Sequence, residues 1–180
     1  MIKTKHDLKQ CIQDDKNCCG FIRLFIKWLT RSDDLYVVLF VYALRYYEYY
    51  LNRRKNFFSY ILYLFSWWNY RRLKLKSGIY IMPNVLGSGV NIVHPGFRRI
   101  GGWVKIGNNC TILPMVLFGK KKPNTNPEII VGDNVYISTG VTILGPAKIG
   151  SNVTIGAGAV VNKDIPDNTI VAGIPAHSIH

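Results

Sequence analysis

The stretch VGDNVYISTGVTILGPAKIGSNVTIGAGAVV, from Val131 to Val161, repeats itself every six residues. Aliphatic side chains recur at Val131, Ile137, Ile143, Ile149, Ile155 and Val161. Four positions after each comes a second small or apolar residue: Val135, Val141, Ala147, Val153, Ala159 and Ile165. An amphipathic helix needs apolar residues every three to four positions, and a half-buried strand every two. A period of six fits neither. It fits a chain coiling as a three-sided prism, with one short strand per face and a turn of Gly, Asn or Asp at each corner. The aliphatic rung points inward and stacks on the next coil, while backbone hydrogen bonds run from coil to coil.

The same ladder extends toward the N-terminus. Ile100, Ile106, Ile112 and Phe118 are six apart, with Val104, Cys110 and Val116 as companions, and Tyr80, Leu86 and Ile92 continue the count. Two intervals break it. Ile92 to Ile100 is eight residues and contains His94-Pro95-Gly96; Phe118 to Val131 is thirteen and leaves Gly119–Glu128 to project as a loop. Loops carried by a rigid scaffold are where function concentrates. The reading is a mainly β coil over 77–180.

Residues 1–76 have another composition. They hold 15 of the 23 Lys+Arg, 6 of the 10 Asp+Glu and 18 of the 23 aromatics. Phe21, Leu24, Phe25 and Trp28 have helical spacing, and Leu35–Arg54 and Phe57–Tyr70 extend a helical reading toward Arg71-Arg72. The longest apolar runs, Leu35–Leu44 and Phe57–Trp68, fall short of the ~20 residues a membrane span needs. The opening, with Asp14 and Asp15 before any apolar run, does not read as a secretory signal, and Cys11, Cys18, Cys19 and Cys110 match no zinc spacing. They read as reduced thiols of a cytoplasmic protein. The basic, aromatic region is either a cap packing on the coil or a peripheral contact with the inner face of a membrane. No nucleic-acid recognition motif accompanies the high pI.

The ladder, together with Val90-Asn91-Ile92-Val93-His94, Ile106-Gly107-Asn108-Asn109-Cys110-Thr111-Ile112 and the ending Val171-Ala172-Gly173-Ile174-Pro175-Ala176, resembles the hexapeptide-repeat acyltransferases. The likeness is to their serine acetyltransferase-like branch, which includes capsular and O-antigen polysaccharide O-acetyltransferases. It implies a left-handed parallel β-helix, a homotrimer and acetyl-CoA in a groove between subunits. It also implies that His94 is the catalytic base. Moving an acetyl group from a thioester to a hydroxyl needs such a base, and imidazole titrates in the right range. Of the four histidines only His94 lies within the coil, at its irregular turn; the alternative is a turn residue capping that coil.

The resemblance further implies that the Gly119 amide faces the thioester and that the backbone at Thr139 and Ala157 contacts the pantetheine arm. Lys163 either meets a CoA phosphate or is a solvated surface lysine, and Lys120-Lys121-Lys122 either attracts anions or tips a solvated loop. Three positions depart from the serine acetyltransferase pattern: Val93 and Tyr80 replace aspartates, and Asn126 replaces a histidine. His94 must then be oriented by a backbone carbonyl, by Tyr80 or by another side chain.

These departures point first to a sugar hydroxyl of a surface polysaccharide or its lipid-linked precursor as acceptor. Serine O-acetylation comes second and a non-catalytic β-helix third. No metal is expected, because one histidine in the coil cannot assemble a three-imidazole zinc site.

Overall fold

A computed structural model describes residues 2–19, 32, 34–53, 56–124 and 126–179. Three helices are described: α1 (Lys5–Cys19), α2 (Asp34–Leu51) and α3 (Phe57–Ser77). The helical stripe expected at Phe21, Leu24, Phe25 and Trp28 lies outside the described residues, as do Arg54 and Lys55. Helix α3 stops at Gly78, which takes the left-handed conformation at φ 70° and lets the chain turn directly into the first strand.

Fourteen short strands follow: β1 (Ile79–Ile81), β2 (Asn91–Ile92), β3 (Arg98–Ile100), β4 (Val104–Ile106), β5 (Thr111–Ile112), β6 (Leu117–Lys120), β7 (Ile129–Val131), β8 (Tyr136–Ile137), β9 (Thr142–Gly145), β10 (Ala147–Ile149), β11 (Thr154–Ile155), β12 (Val160–Val161), β13 (Ile170–Ala172) and β14 (His177–Ser178). They form three sheets, ordered β1-β3-β6-β9-β12, β10-β7-β4 and β14-β13-β11-β8-β5-β2, here called A, B and C. Every pairing is parallel except β13 with β14. Each sheet takes a strand from one coil and pairs it with the next, which is the prism the six-residue period requires.

The rungs are interior. Ile100, Ile112, Ile137, Ile143, Ile155 and Val161 are fully buried, and so are their companions Cys110, Val116, Val141, Val153 and Ala159. Each such aliphatic side chain contributes about 2 kcal/mol by leaving water. Tyr80 was expected as a rung and is not one. Ile79 and Ile81 are the inward pair of β1, and Tyr80 points outward between them. The count of six slips there by one residue because both Val85 and Leu86 are buried at the following turn. The projecting loop also begins later than expected, since β6 runs on through Gly119 to Lys120.

One corner is built from asparagine. Asn109, Asn134, Asn152 and Asn168 take φ between 55° and 57°, which asparagine tolerates better than other residues with a Cβ. Their side chains stack as a ladder, Asn134 to Asn152 at 3.1 Å and Asn152 to Asn168 at 2.9 Å. Beside it the coils approach so closely that a Cβ on Gly132 would lie 2.8 Å from the Gly150 carbonyl carbon.

The helices share this core. Val37, Phe40, Val41 and Leu44 of α2 and Tyr70 and Leu73 of α3 join the coil's interior residues in one apolar cluster. Tyr70 stacks on Tyr47 with ring centroids 5.0 Å apart, and its hydroxyl donates to the Ile81 carbonyl. The polar anchor is Arg45, 1% exposed. Its guanidinium meets Asp15 at 2.9 Å and Glu48 at 3.2 Å, and donates to the carbonyls of Leu86 and Gly87. Glu48 in turn accepts the Asn84 N–H at 2.7 Å. Burial pulls the Arg45 pKa down, but the charges of Glu48 and Asp15 outweigh it and hold the group above its ordinary value. α1, α2 and the first coil are thus tied through one side chain.

Candidate active site

The site is built on the corner between sheets C and A. Ile92, Ile112, Ile137 and Ile155 pair in register across β2, β5, β8 and β11. Two residues beyond each stand His94, Pro114, Thr139 and Ala157, all at this corner. In the bulge Gly96 lies against Pro114, and Pro114, Thr139 and Ala157 form one column along the coil axis, ~10 Å long at ~4.8 Å per coil. Its rungs are joined by backbone bonds, Gly140 N–H to Pro114 O at 3.1 Å and Gly158 N–H to Thr139 O at 2.9 Å. The Thr139 hydroxyl donates to Pro114 O at 2.8 Å.

His94 is the odd member. Its coil carries two extra residues, and His94 itself sits at φ 58°, a region that residues with a Cβ enter at a cost. Arg98 holds this bulge from beneath. Fully buried, its guanidinium donates to Leu113 O at 2.9 Å, to Gly96 O at 3.2 Å and to Val93 O. Burial pulls its pKa down to about 10, and carbonyls rather than carboxylates satisfy it. The ring of His94 projects outward, two-thirds exposed. Its Nδ1 lies 3.3 Å from Oδ1 of Asp34, the first residue of α2.

Among the described residues, Asp34 is the side chain within hydrogen-bond distance of the ring. Tyr80 packs instead against Phe97, ring centroids 5.8 Å apart, with the Lys74 ammonium 5.1 Å from its centroid. A carboxylate, absent at Val93 and Tyr80, thus stands beside the ring from sixty residues upstream. A distance of 3.3 Å is long for a charge-assisted hydrogen bond. The tautomer that carries its proton on Nδ1 donates to Asp34 and leaves the Nε2 lone pair available.

The other expected site residues divide. Thr139 and Ala157 share the His94 corner. Gly119 and Lys163 do not. Phe118, Ile143 and Val161 pair across β6, β9 and β12, so Gly119 and Lys163 stand one and two residues past that row, at the opposite edge of sheet A. The Leu117 and Lys121 amides bond the Val141 and Gly145 carbonyls of the β9 coil. A parallel strand alternates sides residue by residue, so the Gly119 N–H also points into that ladder. A Cβ on Gly119 would lie 3.3 Å from a Leu144 methyl, so the glycine keeps this edge low. In the loop beyond, the Lys121 ammonium donates to the Pro146 carbonyl at 3.2 Å.

Sequence reasoning missed Asp34 and Arg98. Arg98 lies inside the interval whose extra length was visible. No sequence signal linked Asp34 to His94. Among the described residues no group of three His, Cys, Asp or Glu side chains is placed to hold a metal ion. Cys11 and Cys110 are free and buried, and burial raises both thiols, Cys11 to about 11.

Comparison with known proteins agrees with this architecture. Residues 128–163 match the family model described as bacterial transferase hexapeptide (six repeats). A serine acetyltransferase of Staphylococcus epidermidis is 43% identical over 107 residues, covering 57% of this chain and 49% of that protein. One from Staphylococcus aureus is 40% identical over the same length. The chain spans about half the length of these curated relatives. Among solved structures, serine acetyltransferase from Neisseria gonorrhoeae superposes with a TM-score of 0.71 at 25% identity, covering 98% of this chain and 66% of that one. The soybean serine acetyltransferase apoenzyme gives 0.71 at 26% identity, covering 96% and 69%. The fold is accordingly the left-handed parallel β-helix with helices before it.

These findings correct one expectation. The sugar acceptor rested on the residues missing from the serine pattern, yet the similar proteins and structures are serine acetyltransferases. Counting missing carboxylates by position misled because one is present in space, on α2.

Proposed function

We propose that this chain, which carries the transferase hexapeptide repeat, is an acetyl-CoA-dependent O-acetyltransferase with the serine hydroxyl as acceptor. The observation that carries the reading is His94 at the bulged corner, its Nδ1 turned to Asp34 and its Nε2 outward. The likeness to serine acetyltransferases supports the choice of acceptor.

The chemistry follows from that tautomer. A serine hydroxyl is almost wholly un-ionised near neutral pH, so its attack on the thioester carbon needs a base as the C–O bond forms. His94 Nε2 takes the proton, and Asp34 stabilises the imidazolium so created. The tetrahedral intermediate collapses with cleavage of the C–S bond, and the same proton passes to the departing CoA sulfur. O-acetylserine and CoA leave with the imidazole neutral again. Thr139 and Ala157 line the corner along which the pantetheine arm lies, where small side chains let the cofactor approach the backbone. Gly119 leaves room at the thioester and Lys163 meets a CoA phosphate.

This assignment has a geometric consequence. His94, Thr139 and Ala157 occupy one edge of sheet A, Gly119 and Lys163 the other. A cleft containing both groups is formed when the His94 corner of one subunit faces the Gly119 edge of its neighbour. Cyclic repetition of that contact gives the proposed homotrimer. Residues 1–76 then act as a helical region whose α2 presents Asp34 to the base, and 77–180 as the β-helix that holds the donor.

The test is thiol release from acetyl-CoA with L-serine or with a panel of sugars, products identified by mass. The expected result is O-acetylserine formation without sugar acetylation; absence of turnover with serine would reject the reading. Asp34→Asn is expected to lower kcat on the order of tenfold, ~1.4 kcal/mol, because an amide can donate to Nδ1 and favour the wrong tautomer. KM for acetyl-CoA should stay unchanged, and Asp34→Glu should recover part of the rate. An unaltered kcat in Asp34→Asn would remove the carboxylate from the mechanism.

A further inference from the structure

Helix α3 has two apolar faces, and the core uses only one of them. Ser66, Tyr70, Leu73 and Ser77 are buried against α2 and the coil. On the opposite side Phe57, Ile61, Leu64, Phe65, Trp68 and Leu75 recur at helical spacing, all exposed, with Phe57 at 81%, Phe65 at 67% and Leu75 at 70%. A side chain of this kind left in water forgoes about 2 kcal/mol of burial. Six of them in one stripe are more than scattered surface residues, and they mark a binding face.

The charge of the helix says what it binds. α3 contains no Asp or Glu, and Arg71, Arg72, Lys74 and Lys76 fall in its C-terminal half. Arg71 lies 4.9 Å above the Trp67 ring and Arg72 5.4 Å above the Trp68 ring, so cations and aromatic faces form one surface. No described carboxylate pairs with Arg71, Lys74 or Lys76. Net charge over the chain is +13.

We propose that the outer face of α3 lies on an anionic lipid surface, in the plane of the interface. Its 21 residues give a helix of ~31 Å. The Phe, Ile, Leu and Trp side chains enter the region between headgroups and acyl chains, while the arginines and lysines remain at headgroup level. The arrangement lies on the membrane without crossing it, consistent with the finding that no described helix is long and apolar enough to span. A second copy of the chain is the weaker occupant, because it brings the same uncompensated cations to the contact. The inference stands apart from the acetyl-transfer reading.

The experiment is co-sedimentation of the full chain with vesicles of phosphatidylcholine alone or mixed with phosphatidylglycerol, at low and high salt. Binding is expected to the mixed vesicles and to weaken with salt. The double variant Phe65→Ser, Trp68→Ser should reduce the bound fraction roughly tenfold, and Arg71→Ala with Arg72→Ala should weaken the preference for phosphatidylglycerol. Quenching of tryptophan fluorescence by brominated phosphatidylglycerol reads the contact in the unaltered chain, free of any folding effect. No binding or quenching with the anionic vesicles would overturn the proposal. So would binding that ignores Phe65→Ser, Trp68→Ser, or a double variant whose only change is a smaller oligomer in sedimentation velocity.

Discussion

His94→Ala is expected to fold and assemble as the parent does while losing a hundredfold to ten-thousandfold in kcat, roughly 3–5 kcal/mol of transition-state stabilisation. The ring is outward and two-thirds exposed, so its removal leaves no cavity in the core. Arg98 still holds the bulge by its three carbonyl bonds, and the column of Pro114, Thr139 and Ala157 is untouched. KM for acetyl-CoA should therefore change little. A split of this kind, rate lost and donor affinity kept, separates a base from a structural corner residue. Steady-state kinetics beside a thermal melt checks it. A variant within a few-fold of the parent rate would take His94 out of the chemistry.

Arg45→Met is expected to be the most damaging single change to stability, costing about 3–5 kcal/mol and lowering Tm by roughly 10 °C. The methionine fills most of the space, but two carboxylates, Asp15 and Glu48, stay buried without their cation. Two carbonyls of the first coil, those of Leu86 and Gly87, lose their donor as well. The deficit should depend on pH. Burial raises the Glu48 carboxyl, and the Arg45 charge opposes that rise. Without Arg45 the rise is unopposed, so the folded variant binds a proton that the unfolded chain releases near its usual carboxyl pKa of about 4.3. A group raised on folding favours the folded state below that value and loses its contribution as pH increases through the folded pKa. The variant should accordingly be nearer the parent in mildly acidic buffer than in alkaline buffer. Urea unfolding across that range measures it. A loss under about 1 kcal/mol, flat with pH, would mean the network is not what ties helices to coil.

How much of this was legible in the sequence follows the range of the interactions involved. Coil stacking is a short-range regularity: each rung meets the residue one coil away, and the spacing reports it directly. Ile137, Ile143, Ile155 and Val161 were therefore visible as interior residues without any structure. The ladder failed at its first coil, where Ile79 and Ile81 rather than Tyr80 turn inward, because the chain there is leaving a helix and the period has no preceding coil to lock to. His94 stood out by interrupting the period. Asp34 could not, since its partnership with His94 depends on how α2 seats against β2, and that seating is decided by Val37, Val41, Val90 and Ile92 packing together.

The separation of the candidate site into two edges of sheet A was equally hidden. Thr139 lies in the turn before β9 and Gly119 within β6, where it pairs with Leu144 near the far end of β9, so register sets them toward opposite edges of sheet A. The acceptor was the least legible feature. Its reading relied on identities at fixed positions, and a carboxylate can reach the same ring from a different element.

Donor placement beside His94 is the claim on which the rest depends, and a structure of the assembled protein with CoA tests it most directly. The expected result is CoA in a cleft between two subunits, its pantetheine arm running along Thr139 and Ala157 and its sulfur beside His94 Nε2, with Gly119 contributed by the neighbour. CoA bound away from that corner, or a His94 ring sealed from the cofactor by the subunit contact, would contradict the account.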